Sequence, residues 1–277
     1  MKSANESYFI RHVGIPGAEA LFKTQKIAIH YGNIASIDPA KYLKGSRRSA
    51  IERFVRLAND GGCVWAQYQY GDVDKVLVGV VEADSQIKFE SKENLKTLQL
   101  KKVHEIQMGD LMSMRAGVPR EGTFVRWHIV GDRIWDIVKG RQPQMIWDNL
   151  SHSQQETVCA EFLRQSNKSI PRLQHLLLPV GRTMKDVDIY GVTSLGSLLF
   201  GQVTFSSNPR TILSKVASLE KYKNPNEESK LVFFSPQTDQ GLYKDLVASH
   251  PEMKFISTDE VFDWLRISPS LRDHLFL

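Results

Sequence analysis

The sequence predicts a two-domain α+β protein. The first half reads as a small, partly closed β-barrel with helical plugs, and the second as an α/β sandwich around a mixed sheet. Three observations point there. At 277 residues the chain exceeds the usual size of one domain, so two are the natural expectation. Near residue 150 the apolar pattern changes from short alternating runs to longer helical spacing. Finally, two strand-like runs in the second half carry Asp186 and Asp188, although desolvating an unpaired carboxylate in a sheet costs several kcal/mol. Acids at such a place mark a site.

An apolar fraction of 42% is enough for a core in each half. The longest apolar runs, such as Leu176–Val180, fall far short of a membrane helix. The opening MKSANESYFIRHVG has no apolar core of a secretion signal. The expectation is therefore a cytoplasmic protein without a membrane partner. Cys63 and Cys159 each sit in an apolar segment and read as reduced core thiols. Without CxxC, HExxH or a Cys/His cluster, no structural zinc is expected. Residues 1–150 hold 22 Lys+Arg against 17 Asp+Glu, while residues 151–277 hold 14 against 14. All of the excess positive charge lies in the first half, which suits either a polyanion-binding surface or an ordinary solvated one.

In the first half, YFIRHVG and KIAIHYGN read as strands flanking a short helical AEALFKTQ. SAIERFVRLAND puts Ile51, Phe54, Val55 and Leu57-Ala58 on one helix face and stops at Gly61-Gly62. CVWAQYQYGD and KVLVGVVEAD follow as a hairpin, and LKKVHEIQMGDLMSM and FVRWHIVGD supply further short strands. Tyr31, Trp65, Tyr68 and Tyr70 are either stacking walls for a nucleobase or core aromatics. Gln67, Asp38 and His30 are polar groups able to read a base edge. Arg47, Arg48, Arg53 and Arg56 are phosphate contacts if the long helix faces DNA and a solvated face otherwise.

The stretches Ile29-His30-Tyr31-Gly32, Gly62-Cys63-Val64-Trp65-Ala66-Gln67-Tyr68 and Val78-Gly79-Val80-Val81-Glu82, in this order of elements, resemble the PUA-like barrels that include EVE, YTH and ASCH domains. The resemblance covers about half of the chain. It implies nucleic-acid binding over residues 1–145, with one base, modified or flipped out, in a pocket walled by Tyr31, Trp65 and Tyr68 and read by Gln67.

A Gly/Pro/Asn/Ser-rich linker at about 140–150 leads into the second domain, residues 150–277. Its order is helix (QQETVCAEFLRQS), strand pair (Asp186–Val192 and Leu198–Phe205), helix begun by Asn208-Pro209, strand KLVFFSP, helix, strand KFIST and a last helix capped by Thr258. On period two, Asp186 and Asp188 share a strand face.

This order, with Glu161 in the first helix, Asp188 in MKDVDIYG and Gln202 in FGQVTFS, resembles the PD-(D/E)XK phosphodiesterase fold, in particular Mrr-like restriction enzymes. In that family a helix acid, a strand acid and an E/Q-x-K pair meet at one end of the sheet. The acids hold Mg²⁺, and the Lys stabilises charge and orients the attacking water. The resemblance assigns Glu161, Asp188 and Asp186 to the metal and Gln202 beside them. The sequence departs where the motif requires Lys, because Thr204 stands there. Lys185 or Lys215 are the candidate replacements. What this implies is a DNA-binding, Mg-dependent endonuclease of restriction or defence type, working as a homodimer. The alternative is a non-catalytic DNA or RNA binder with a degenerate nuclease fold.

Overall fold

The computed structural model describes residues 6–15, 17–31, 34–90, 94–107, 110–111, 114–115, 117–119, 123–127, 131–142, 144–165, 171–177, 184, 186–223, 228–236 and 240–276. The chain divides into two compact units, Met1–Ser151 with His274–Leu277, and His152–Asp273. No described helix is long and apolar enough to cross a membrane.

The first unit begins with β1 (Ser7–Val13), α1 (Ala18–Lys23), β2 (Lys26–Ile29) and α2 (Ser46–Asp60). The apolar face of α2 buries Ala50, Ile51, Phe54, Leu57 and Ala58, close to the face the periodicity predicts. It ends at Gly61, with φ at 75° and an added Cβ brought within 2.9 Å of the Ala83 nitrogen, so only glycine fits. β3 (Gly62–Tyr70) and β4 (Val73–Val81) then form the expected antiparallel hairpin. β5 (Lys88–Glu90), β6 (Leu95–Gln99), β7 (Lys101–Ile106), β8 (Phe124–Arg126) and α3 (Gly131–Val138) follow.

The strands make two sheets, β7-β4-β3-β1-β8 and β2-β6-β5. Among the described residues no ladder closes them into the barrel expected from the sequence. The reason lies in β3, which is covered on both faces. Val64, Ala66 and Tyr68 enter a core with α2 and β2, while Cys63 and Trp65 enter a second core with Trp127 and with Ile134 and Val138 of α3. That is layered packing. The helix α3 takes in only Gly131 and Asp132 of the run read from sequence as a strand and continues over residues given no element there, where Ile134 and Val138 are spaced for a helix. The pair β5 and β6 escaped sequence reading because Lys96, fully buried in β6, interrupts the apolar pattern. Its ammonium donates to the Asn94 carbonyl at 3.0 Å. The end of the chain also belongs here: Arg133, fully buried on α3, donates to the Leu275 carbonyl at 3.2 Å and lies over the Phe276 ring.

The second unit contains α4 (His152–Gln165), β9 (Leu173–Leu176), β10 (Ile189–Thr193), β11 (Leu198–Val203), α5 (Pro209–Glu220), β12 (Ser229–Ser235), α6 (Gln240–Ser249), β13 (Met253–Ser257) and α7 (Thr258–Arg266), then the start of α8 (Pro269–Phe276). Its sheet runs β13-β12-β11-β10-β9 and is mixed, as predicted: β11, β12 and β13 are parallel, whereas β10 is antiparallel to β11 and β9. Phe200, Leu231, Phe233 and Phe255 pack against α5 and α6. The other face meets α4 and α7, where Phe162 stands edge-on to Trp264 at 5.5 Å. As the sequence indicates, Asn208 caps α5, its side chain accepting from the Arg210 and Thr211 amides. The cap of α7 is Ser257 rather than Thr258, one residue earlier, because its hydroxyl accepts from the Asp259 amide.

Candidate functional site

The site begins where β10 and β11 end. The sequence pattern extends the first strand back to Asp186, but β10 starts at Ile189, and Asp186 and Asp188 lie in the turn before it. Period-two alternation therefore does not govern them. Asp188 donates its backbone N–H to the Gly201 carbonyl at 2.9 Å, continuing the ladder by one bond. Its carboxylate then takes over from the backbone, accepting the Val203 N–H at 2.9 Å and an N–H of the Gln202 amide. A charged acceptor makes stronger hydrogen bonds than a carbonyl does, which explains an acid at the end of a sheet.

Gln202, 4% exposed, also donates to the Val203 carbonyl at 3.2 Å. The same carbonyl accepts from the Lys215 ammonium of α5 at 3.4 Å. Asp188, Gln202 and Lys215 thus converge on the backbone of one residue, Val203, the acid on its N–H and the amide and ammonium on its C=O. Thr204, at the position where the motif requires Lys, is fully buried. Its backbone N–H pairs with the Phe234 carbonyl at 2.9 Å, and its hydroxyl accepts from the Ser206 amide at 3.3 Å. No cation stands on β11 at this point, and the nearby amine comes from the following helix instead. Lys185 lies outside the described residues.

On α4, Cys159 is fully buried. Burial pushes its thiol well up, and the Asp188 and Glu156 carboxylates push it further. Glu161, the acid assigned from sequence, is two residues beyond Cys159, roughly 200° around the helix. Its carboxylate turns to Arg164 at 3.7 Å and Gln165 at 3.4 Å. The structure brings Asp188 together with Gln202, while Glu161 is engaged by Arg164 and Gln165 of its own helix. Asp186 is half-buried in the turn. Among the described residues no three His, Cys, Asp or Glu side chains gather as a metal-holding group.

In the first unit, the expected base walls separate. Trp65 is 1% exposed and stands edge-on to Trp127 at 5.8 Å; Tyr68 is fully buried, stacked on His12 at 4.5 Å and donating to the Lys26 carbonyl. Both are core residues and wall no base pocket, because the second core beneath α3 and the sheet packing claim their faces. Tyr31 is half-buried, its hydroxyl 2.7 Å from that of Thr123. Gln67 is tied on both sides, donating to Asp74 at 3.0 Å and accepting from Arg11 at 3.4 Å. Asp38 caps a short 3-10 turn through the Ala40 amide, and Tyr70 packs at the edge of the core. Of the arginines, Arg47 is exposed and Arg48 is paired with Glu52 at 3.0 Å.

No family model matches the chain, and no curated protein matches it either. Among solved structures it is similar to a repair endonuclease from Pyrococcus abyssi, at 10% identity and a TM-score of 0.27 over 84% of this chain and 98% of that one. It is likewise similar to an EndoMS–dsDNA complex, at 12% identity and a TM-score of 0.26 over 85% of this chain and 97% of that one. At such low TM-scores neither likeness carries weight for this chain.

Proposed function

We propose that this chain binds DNA and that its second unit acts on the phosphodiester backbone at the end of β10 and β11. The observation that carries the reading is the convergence of Asp188, Gln202 and Lys215 on the backbone N–H and C=O of Val203. A phosphodiester is anionic, so a site for it needs positive charge beside an acid able to manage a water proton. Lys215 supplies the cation that Thr204 does not, and Asp188 and Glu156, both close enough to Cys159 to raise its pKa, supply carboxylates. Gln202 fixes the orientation of Asp188. A divalent cation on hard oxygens is the usual means of neutralising such a substrate. Mg²⁺ dependence is part of what the assay decides. Cutting both strands of a duplex calls for two active sites, hence a homodimer on DNA. Base reading by Trp65 and Tyr68 forms no part of the proposal.

A second reading, a non-catalytic DNA binder, is favoured by the buried Thr204 and by an Asp188 carboxylate already engaged by backbone and amide N–H groups. Incubation with supercoiled plasmid in Mg²⁺ or Mn²⁺, against EDTA, separates the two. Cation-dependent cleavage that disappears in Asp188→Ala and falls in Lys215→Met supports the nuclease. Salt-sensitive binding without cleavage under any cation supports the binder. Absence of DNA binding at low salt removes both.

A further inference from the structure

A cleft of about 430 Å³ opens between α2 and β8 in the first unit, lined by Ser49, Glu52, Arg53, Arg56, Val125 and Arg126. Three guanidinium groups border it, and two are held in place by single arms. Arg53 reaches from α2 to donate one N–H to the Phe124 carbonyl at 3.1 Å. Arg126, on β8, is bonded through Nη2 to the Glu6 carboxylate. Its Nε–H is buried and meets no acceptor among the described residues. Arg56 follows Arg53 by three residues on the same helix face and is exposed.

The acids nearby are already engaged. Glu52 is paired with Arg48 at 3.0 Å, and Glu6 also accepts the Tyr8 hydroxyl. An arginine carries five N–H donors in a planar fork. Anchoring one arm leaves the others oriented without the full entropy cost of ordering a free side chain. This is the arrangement that recognises a phosphate by paired N–H donors. It also lies in the half of the chain that holds 22 basic against 17 acidic residues.

We propose that this cleft grips the phosphodiester backbone of DNA, with Arg53 and Arg126 as fixed walls and Arg56 as the third contact. The proposal rests on the DNA-binding reading and is independent of whether the second unit cleaves. Of the four arginines read from sequence as phosphate contacts, it keeps Arg53 and Arg56 and adds Arg126 of β8.

The test is fluorescence anisotropy of a labelled duplex with the full chain, across about 50 to 200 mM salt. Removing one phosphate-binding charge should lower the slope of log K against log salt by about one. Arg56→Ala should do so, Arg53→Gln with Arg56→Ala should lower it by about two, and Arg56→Lys should keep the slope by keeping the charge. Lys23→Ala, at an exposed lysine paired with Glu19, should bind as the parent does. Circular dichroism melts show whether the arginine variants remain folded, and Arg56→Ala, at an exposed position, serves if the double variant does not. An unchanged slope in folded Arg56→Ala overturns the cleft while leaving DNA binding standing. A parent chain that fails to bind DNA overturns both, and is told apart from the first outcome by the parent alone.

Discussion

Replacing Asp188 by Ala should loosen the end of the central sheet before it affects anything else. The carboxylate accepts two hydrogen bonds, one from the Val203 N–H at 2.9 Å and one from Gln202. Bonds to a charged acceptor contribute about 1.5–3 kcal/mol each, and a donor left buried without a partner costs about 1–3 kcal/mol. Val203 is fully buried, so water does not replace the missing acceptor. The expected loss is about 2–4 kcal/mol, local to β10 and β11. Asp188→Asn keeps a carbonyl oxygen for the Val203 amide and should recover about half of that loss. Amide hydrogen exchange reads this directly: protection at Val203 should fall on the order of a hundredfold in Asp188→Ala. If protection at Val203 is unchanged, the carboxylate does not hold the ladder, and its place at the sheet end needs another explanation. Because both variants also remove the acid from the site, exchange and cleavage together separate its structural role from its chemical one.

Three further outcomes are expected. Glu156→Gln should reduce any cleavage sharply while Glu161→Gln leaves it near the parent rate, and the reverse result would return the helix acid to Glu161. His12 is fully buried, its Nε2 accepting from the Ala28 amide at 2.9 Å, and burial lowers its pKa from 6.5 to about 4. A depressed folded pKa means its contribution is complete above pH 6.5 and is lost as pH falls toward 4. The loss is up to about 3 kcal/mol; denaturation curves at both ends of that range should differ less in His12→Gln than in the parent, and equal slopes would refute it. Phe276→Ala removes a ring that is 4% exposed and lies under Arg133, so the first unit should lose about 3–5 kcal/mol. A first-unit melting transition unaffected by this change would show that the chain end is not part of that core.

Local chemistry was legible in the sequence. The hairpin of β3 and β4 follows from alternation around Gly71-Asp72, α2 from its apolar spacing and glycine stop, and the start of α5 from Asn208-Pro209. The pairing of Asp188 with Gln202 was also legible, since a carboxylate and an amide at adjoining strand ends stand out against apolar runs. Where reading failed, a long-range interaction outweighed the local signal. β6 hides a fully buried lysine that a window of neighbours reads as surface. The ladder of β10 stops short because a side chain replaces the backbone acceptor at Val203.

What the sequence by itself determined is most of the elements, the polar residues placed within apolar strands, and the missing lysine at Thr204. Those depend on periodicity and residue type, which act within a few positions. Only the tertiary structure decided which side of α4 is buried, the side of Val158, Cys159 and Phe162. It alone showed the Lys215 ammonium at the Val203 carbonyl, 12 residues along the chain. It also turned Trp65 and Tyr68 from prospective base walls into core, because whether an aromatic stacks on a ligand or on its neighbours depends on what covers its face. Coverage is a property of packed layers, and no local pattern encodes it.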